Sequence, residues 1–356
     1  MRSKADALRC YSFVIIREEA LLMIEFVDLS TAQELDHFVT AHANCHFMQT
    51  SNWGRIKLDW SWQGIIYRDR NREIKGTIAL LSRRLKGLNA CILYAPRGPI
   101  YDHEDYHTLF KLLEASKQLA HQIHAVVLRI DPMIAEDDSE FASYMKNEGF
   151  CCNRSTDYSL FQPRMCYVME LTEEADLASR YHRTTRYHLN RAIKEGVTVK
   201  SDDDLDSFYA LMTMTAAHNG FAMREPAYFK RLLDILGEHA RLYLAKQNGE
   251  VIAGSIAVFY GNRAWFMYGA SDPRKRKSHP NELLQWTMQN DAIKKGCKYF
   301  DMRGVEGYPT EKHAKLGLHQ FKQGFSANFV AYAGEFDYIL RPWLYYATKL
   351  YGKLKR

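Results

Sequence analysis

The chain has 356 residues, of which 47% are hydrophobic and 25% are charged, a composition typical of soluble proteins with about two domains. No run of about 18 apolar residues occurs, which excludes a transmembrane helix. The seven cysteines are scattered, odd in number and without a CxxC motif, so we expect neither a disulfide framework nor a zinc site. The net charge of +6 permits an anionic partner without demanding one.

The first 22 residues are interpreted as an extension that precedes the first strand, which is predicted to begin near Ile24. The apolar run CYSFVII is short, and charged residues follow it without a small-residue cleavage site. We therefore expect no signal peptide and a cytoplasmic protein.

The first half of the chain reads as strand, strand, helix, strand. EIKGTIALLSRRL and ACILYAPRGPI have β-rich patterns separated by the turn Lys-Gly-Leu-Asn. Leucines with helical spacing predict a helix from about Asp105 to Ile123. AVVLRID is then a short apolar run typical of a buried parallel strand.

The same order recurs later in the chain. EVIAGSIAVFYG and AWFMYGAS predict a hairpin, a helix opens near Pro280, and KYFDMRG is the following strand. The two copies align on Gly76 and Gly254, which are 178 positions apart. This duplication predicts an α/β (α+β) fold of two tandem domains, expected at 23–165 and 166–340.

The segment between the copies is predicted to be helical. A long helix is expected to open at Thr172 and Glu173 and to close at Gly196, followed by helices near 203–218 and 225–238. The tail, residues 341–356, reads as a basic, aromatic helix without acidic residues. It either packs on the first domain or rests on an anionic membrane leaflet.

The hairpin–helix–strand unit is typical of N-acetyltransferase-like (GNAT-like) domains, which hold a pyrophosphate with a glycine-rich turn before the helix. Here the turn is GASDPRKRKSHPNELL, and the first copy has RGPIYDHEDYHTLF. Neither has a Gly-x-Gly, so an acetyl-CoA donor is disfavoured. The run of basic residues in the second turn is either a solvated loop or a contact for phosphates, such as those of RNA. It comprises Arg274, Lys275, Arg276 and Lys277.

A lysine in an apolar context raises a question near the C-terminus, where FDMRGVEGYPTEKHAKLGLHQFKQGF places Phe321 and Lys322 between apolar neighbours. An ammonium group is costly to bury without a partner. Lys322 therefore either extends to water or serves a negative group.

Five motifs in order resemble the FemABX family of transferases: FMQTSNWGRIK, YAPRGPIYD, RAIKEGVTV, MREPAYFKRLL and the stretch from YFDMRGV to GLHQFKQGFSANFVAYAGEFDYIL. They span about residues 47 to 340. The resemblance implies two GNAT-like domains, with the C-terminal helix returning to the first. It also implies an aminoacyltransferase that moves an amino acid from aminoacyl-tRNA to a peptidoglycan precursor without a cofactor.

The resemblance assigns catalytic roles to Phe321 and Lys322, which match the family's Phe-Lys pair. Lys322 would stabilise the oxyanion or the leaving ribose oxygen during aminoacyl transfer. Asp102 matches an aspartate near the family's acceptor site and is either a general base or a binding residue.

The resemblance also implies residues that bind the acceptor. Lys57 and Arg224 match a lysine and an arginine that hold its pyrophosphate, and Trp60 could shelter the sugar or uracil. Arg224 precedes Tyr228 by four residues, so on a helix the two would share a face. Tyr228 and Tyr268 would line the peptide groove.

Near the Phe-Lys pair, Arg303 is a candidate for substrate binding or for a structural ion pair with Asp301. His319 is read as a polar residue at a strand edge. The segment from Gly196 to Arg241 has no room for the coiled-coil arm of some members, so the chain is expected to be armless.

Gly, Ala and Ser remain open as the transferred amino acid, and lipid II and UDP-MurNAc-pentapeptide as the acceptor. Two other functions remain open as well, namely an acyl-CoA-dependent N-acyltransferase and a non-catalytic module that binds tRNA or the precursor.

Overall fold

The computed structural model describes residues 23–172, 177–220, 222–310 and 316–354. The chain divides into two compact units. The first comprises residues up to 133, 140–153 and 335 onward, and the second comprises 134–139 and 154–334. The predicted extension, residues 1–22, lies outside the described residues.

The first unit is built on an eight-stranded mixed sheet with the order β1-β2-β3-β4-β6-β15-β7, with β5 paired to β3. Only β4 and β6 pair in parallel within this sheet. Its strands are β1 Ile24–Val27, β2 Ser61–Arg68, β3 Ile74–Arg84, β4 Cys91–Ala95, β5 Ile100–Tyr101, β6 Ala125–Ile130, β7 Cys151–Asn153 and β15 Glu335–Ile339. Its helices are α1 Gln33–Ala41, α2 Ser51–Ile56, α3 Tyr106–Gln122, α4 Ser139–Asn147 and α10 Pro342–Leu354.

The second unit has a seven-stranded sheet with the order β14-β8-β13-β12-β11-β10-β9, in which only β12 and β13 are parallel. Its strands are β8 Met165–Glu170, β9 Thr198–Asp202, β10 Ala240–Gln247, β11 Glu250–Tyr260, β12 Arg263–Ser271, β13 Tyr299–Val305 and β14 Asn328–Ala331. Its helices are α5 Arg183–Lys194, α6 Leu205–Asn219, α7 Pro226–Leu236, α8 Pro280–Lys294 and α9 Leu316–Gln323.

The two sheets repeat the same pattern. In each sheet, three consecutive antiparallel pairings are followed by one parallel pairing and then by two further antiparallel pairings. A helix, α3 or α8, lies between the two parallel strands in the chain. The predicted α/β fold and its internal duplication are therefore confirmed. Gly76 and Gly254 occupy the central strands β3 and β11. A Cβ at Gly76 would lie 2.6 Å from Thr108 Cγ2, and one at Gly254 would lie 2.9 Å from Phe208 Cδ2. Both glycines allow a helix to approach the sheet closely.

Strand β15 joins the sheet of the first unit, although it follows the whole second unit in the chain. Helix α10 continues from it and buries Leu344 and Tyr345 against Val126 and Val127 of β6. The expected boundary at residue 340 thus differs from the observed one, because residues 335–339 pair with β6 and β7 rather than with the second sheet.

The prediction of one long helix from Thr172 to Gly196 is wrong, because the observed helix is shorter. A short 3₁₀ turn at Leu177–Arg180 is separate from α5, which begins at Arg183. The backbone N–H of His182 donates to the carbonyl oxygen of Gly324 at 2.9 Å, which breaks the helical ladder before α5. Residues 173–176 lie outside the described part of the chain.

Candidate functional site

The second unit contains a buried lysine at an irregular strand end. The pairing of β13 with β8 shifts register between Asp301 and Gly304, and Arg303 has a φ of 64°. Lys322, on α9, is 3% exposed, and its Nζ donates to the carbonyl oxygens of Arg303 and Gly304, both at 2.8 Å. Lys322 therefore does not extend to water. Two of its three N–H groups bind the carbonyl groups of the irregular strand.

Burial lowers the pKa of Lys322 to about 8, from an ordinary value of 10.5. The nearby Cys166 and Asp301 oppose this shift, whereas Arg303 adds to it. The third N–H of this ammonium has no partner among the described residues. A buried ammonium is a strong donor for a developing negative charge, since few solvent dipoles screen it.

Phe321 supports this lysine from the helix. Its ring lies 5.1 Å from that of Phe325 in an edge-on arrangement, and it packs against the core of the second unit. In the structure Phe321 is thus a packing residue that fixes α9.

Arg303 and Asp301 form no ion pair among the described residues, so that expectation is wrong. One carboxylate oxygen of Asp301 accepts the backbone N–H of Arg303 at 2.6 Å, and the Arg303 guanidinium donates to Gln162 at 2.9 Å. The Nη1 group of Arg303 is buried without a hydrogen-bond partner in the described part of the chain.

His319 is fully buried on α9, so its reading as a strand-edge residue is wrong. Its Nδ1 lies 3.0 Å from the hydroxyl of Tyr167, and its Nε2 lies 3.0 Å from the carbonyl oxygen of Glu306. The His319 ring therefore joins α9 to β8 through Nδ1 and to the segment after β13 through Nε2.

Tyr228, Tyr268 and Arg224 come together in the second unit. The Tyr268 hydroxyl donates to that of Tyr228 at 3.0 Å, and the Arg224 guanidinium lies 5.5 Å from the Tyr228 ring centroid. Burial raises the pKa of Tyr228 well above its usual range. Arg224 and Tyr228 are in contact, as predicted. The contact is not made along one helix face, because α7 begins at Pro226, after Arg224.

The basic run is a short 3₁₀ helix, Pro273–Ser278, before α8. Arg274 binds Asp272 at 2.7 Å, and Lys275 binds Glu250 at 2.7 Å. Arg276 and Lys277 are exposed and form no ion pair with any described residue. Two of the four predicted tRNA contacts are therefore occupied within the chain, and two remain available.

In the first unit, Lys57 caps the end of α2, with its Nζ 4.5 Å from the ring centroid of buried Trp53. The Trp60 ring is half-buried, with its centroid 6.4 Å from that of Tyr94 and 5.8 Å from the Arg83 guanidinium. The first unit thus presents a cation and an aromatic ring in one turn.

Asp102 follows β5 and is 82% exposed at its side chain. Nε2 of His42 lies 3.3 Å from one of its carboxylate oxygens. Nδ1 of His42 accepts the backbone N–H of Asn44 at 3.0 Å, so the proton of the neutral imidazole lies on Nε2 and faces Asp102. Burial lowers the pKa of His42, which Asp102 partly opposes.

Sequence reasoning gave no role to several residues that build these surroundings. Gln49 is fully buried and makes three hydrogen bonds, which join Ala79 to Pro96. Asp131 is buried and accepts from the Arg97 backbone at 2.6 Å and from Tyr94 at 2.8 Å. The position of Gln49 within FMQTSNWGRIK was a usable signal, whereas Asp131 follows an ordinary strand.

A model of the FemAB family matches residues 30–250 and 246–353. The chain belongs to the FemAB family. A lipid II:glycine glycyltransferase of Staphylococcus aureus (strain bovine RF122 / ET3-1) is 27% identical over 393 positions, which cover 88% of this chain and 93% of that relative. These relatives confirm the predicted aminoacyltransferase class.

The fold agrees with this family. A crystal structure of FemX superposes with a TM-score of 0.83 and 25% identity, covering 91% of this chain and 99% of FemX. A tandem GNAT protein of the clavulanic acid pathway has a TM-score of 0.51 and 11% identity over 88% of this chain and 96% of its own, which supports the two GNAT-like folds.

No coiled-coil arm occurs in this FemAB protein within the described ranges, where the longest helix, α3, has 17 residues. Across those ranges, no helix is long and apolar enough to cross a membrane.

Proposed function

We propose that this chain transfers glycine from glycyl-tRNA to the stem-peptide amine of lipid II, and so builds the interpeptide bridge of peptidoglycan. The observation that carries the proposal is its similarity to the S. aureus lipid II:glycine glycyltransferase over nearly the full length of both chains. Both substrates are made in the cytoplasm, so we place the protein there.

Lys322 is the central catalytic residue of the proposal. The stem-peptide amine attacks the ester carbonyl of glycyl-tRNA, and a tetrahedral oxyanion forms. The amide bond then forms as the ribose oxygen leaves and takes up a proton. Lys322 holds a buried positive charge and has a third N–H available for that oxygen, and electrostatic stabilisation of this kind lowers the barrier by several kcal/mol. Phe321 positions the helix that carries it.

The incoming amine must lose a proton. Asp102 is exposed and held by His42, which suits a carboxylate that receives or orients this amine. The structure describes Asp102 in the first unit and Lys322 in the second.

Acceptor recognition is assigned to cationic and aromatic side chains in each unit. Lys57 and Arg224 bind the pyrophosphate of the acceptor, and each already lies over an aromatic ring that restricts it. Trp60 covers the sugar, and Tyr228 and Tyr268 line the stem-peptide groove. Arg303 is assigned to a carbonyl group of either substrate, through a buried Nη1 that has no hydrogen-bond partner among the described residues.

Donor recognition is assigned to the basic run, chiefly to Arg276 and Lys277, because the charges of the other two basic residues are already paired. With so few phosphate contacts, tRNA binding is weak and salt-sensitive. The exposed Trp343 and Tyr346 of α10 provide a peripheral contact with the inner membrane leaflet, where lipid II is anchored.

The N-termini of α3 and α8, where the pyrophosphate of an acyl-CoA would bind, disfavour such a donor. Glu282 lies in the first turn of α8, and Asp105 caps α3 by accepting the Thr108 backbone N–H at 2.9 Å. A carboxylate at each helix N-terminus competes with an anionic ligand for the same N–H groups.

A matrix of donors and acceptors tests the proposal. Purified protein is mixed with tRNA charged with glycine, alanine or serine, or with acetyl-CoA, and with lipid II or UDP-MurNAc-pentapeptide, and the products are weighed by mass spectrometry. We expect one glycine to be added to lipid II and no acetyl transfer. Acetyl transfer, or no transfer with any combination by folded protein, would overturn the proposal.

A further inference from the structure

A separate cluster of ligating side chains lies in the second unit, where α5 packs beside α8. His188 is on α5, His279 immediately precedes α8, and Glu282 is in its first turn. Nδ1 of His188 lies 3.1 Å from Oε1 of Glu282, and Nδ1 of His279 lies 3.6 Å from the same oxygen. The side chains of His188, His279 and Glu282 are 30%, 18% and 12% exposed, so the cluster is sheltered but reachable from solvent.

These separations fit ligands of one metal ion better than two hydrogen bonds. The 3.6 Å contact of His279 is too long for a hydrogen bond. On a tetrahedral Zn²⁺ with bonds of about 2.0–2.2 Å, neighbouring ligand atoms lie roughly 3.4 Å apart. One ligand atom from each of the three residues lies within 4.8 Å of the other two, so rotation of one imidazole ring would let all three bind one ion.

The imidazole rings of His188 and His279 are stacked, with centroids 3.9 Å apart and planes inclined by 10°. Because the lone pair of an imidazole nitrogen lies in the plane of its ring, one of the two rings turns out of the stack when both bind the same ion. The neighbouring Arg191 binds Glu195 at 2.7 Å, and this ion pair offsets its repulsion of a cation.

We propose that His188, His279 and Glu282 form a binding site for a divalent transition metal, with Zn²⁺ as the first candidate. Two imidazoles and one carboxylate suit Zn²⁺, whereas Mg²⁺ and Ca²⁺ prefer oxygen ligands alone. Water completes the coordination because the cluster retains solvent access. The ion would tie α5 to the start of α8 and to the basic run before it. The proposal is independent of the transfer reaction.

The test uses the full chain after removal of metals with a chelator. Zn²⁺ is titrated in competition with a chromophoric indicator, and Co²⁺ is added separately to record the visible absorption of a four-coordinate site. The variants are His188→Gln, Glu282→Gln and His279→Asn, since asparagine tolerates the left-handed backbone of residue 279. His182→Gln is the matched control, because it removes an exposed histidine adjoining the same helix.

We expect one equivalent of Zn²⁺, at least tenfold weaker binding in each of the three variants, and unchanged binding in His182→Gln. No saturable binding, or equal affinity in wild type and all variants, would overturn the proposal. If a variant does not fold, the Co²⁺ spectrum of the wild-type protein decides, because the absence of a four-coordinate band also overturns it.

Discussion

Nζ of Lys322 lies 2.8 Å from the carbonyl oxygen of Arg303, a residue whose backbone is left-handed at the irregular end of β13. The lysine thus has two roles in one position. It binds two carbonyl groups beside the register shift of β13, and it keeps a buried cation whose third N–H has no partner among the described residues. The predictions below separate these roles.

Replacing Lys322 with methionine removes the charge while keeping a side chain of similar length. If the charge stabilises the oxyanion, kcat falls by about 10²–10³-fold, the range seen when one such donor is lost. Steady-state kinetics with saturating substrates measure this loss. Gln320→Ala, an exposed position on the same helix, is the control and should keep the wild-type rate. A Lys322→Met variant that folds and retains the wild-type kcat would contradict the catalytic role.

The pH dependence of stability tests the buried charge. Burial lowers the pKa of Lys322 to about 8, whereas the unfolded chain keeps the ordinary value of 10.5. Between these values the unfolded state binds the extra proton, so the free energy of unfolding rises with pH through this window. Relative to Lys322→Met, the wild-type protein should gain about 2 kcal/mol between pH 7 and pH 10 in urea unfolding. If the difference in unfolding free energy between wild type and Lys322→Met does not change with pH, the pKa of Lys322 is not lowered.

The paired and unpaired members of the basic run should differ in tRNA binding. Arg276→Ala with Lys277→Ala removes two exposed charges, and the salt dependence of the tRNA affinity should become less steep by roughly one to two charges. Arg274→Ala with Lys275→Ala is the control with the same change in charge, but Asp272 and Glu250 already bind these side chains. Filter binding at several salt concentrations measures both. Equal losses in the two double variants would contradict the assignment.

Gln49 should contribute to stability rather than to catalysis. Its amide donates to Ala79 and Pro96 and accepts from Ala79, with all three bonds buried. Gln49→Ala leaves these groups unsatisfied and should lower the free energy of unfolding by about 3 kcal/mol or more, as measured by urea unfolding. Asn52→Ala, which removes only an exposed contact with Arg55, should change stability by less than about 0.5 kcal/mol. An unchanged free energy of unfolding in Gln49→Ala would mean that other groups bind the backbone atoms of Ala79 and Pro96.

Local patterns in the sequence predicted most strands and helices, because β3, β4, α3 and β6 each carry their own periodicity and turn signals. The pairing of β15 was not predictable in this way. EFDYI reads as a strand wherever it pairs, and only contacts far along the chain place it beside β6. The break before α5 likewise depends on a hydrogen bond from His182 to Gly324, which no local pattern reveals.

The candidate site shows the same limit. The unusual context of Lys322 marked it from sequence, and of the two alternatives left open the structure excludes extension to water, because Lys322 is buried. Its carbonyl partners were not foreseeable, because they depend on the left-handed backbone of Arg303 and the register shift in β13. His319 was misread because α9 is only eight residues long and its periodicity is too short to identify. The cluster of His188, His279 and Glu282 escaped notice because His188 lies 94 positions before Glu282 in the chain.

The most direct test of the central claim follows isotopically labelled glycine from tRNA to lipid II. Wild-type protein and Lys322→Met are incubated with labelled glycyl-tRNA and lipid II in detergent micelles, and the lipid II product is weighed. We predict that lipid II gains the mass of one labelled glycine with wild-type protein and that little product forms with the variant. Unchanged lipid II after incubation with folded wild-type protein would contradict the account.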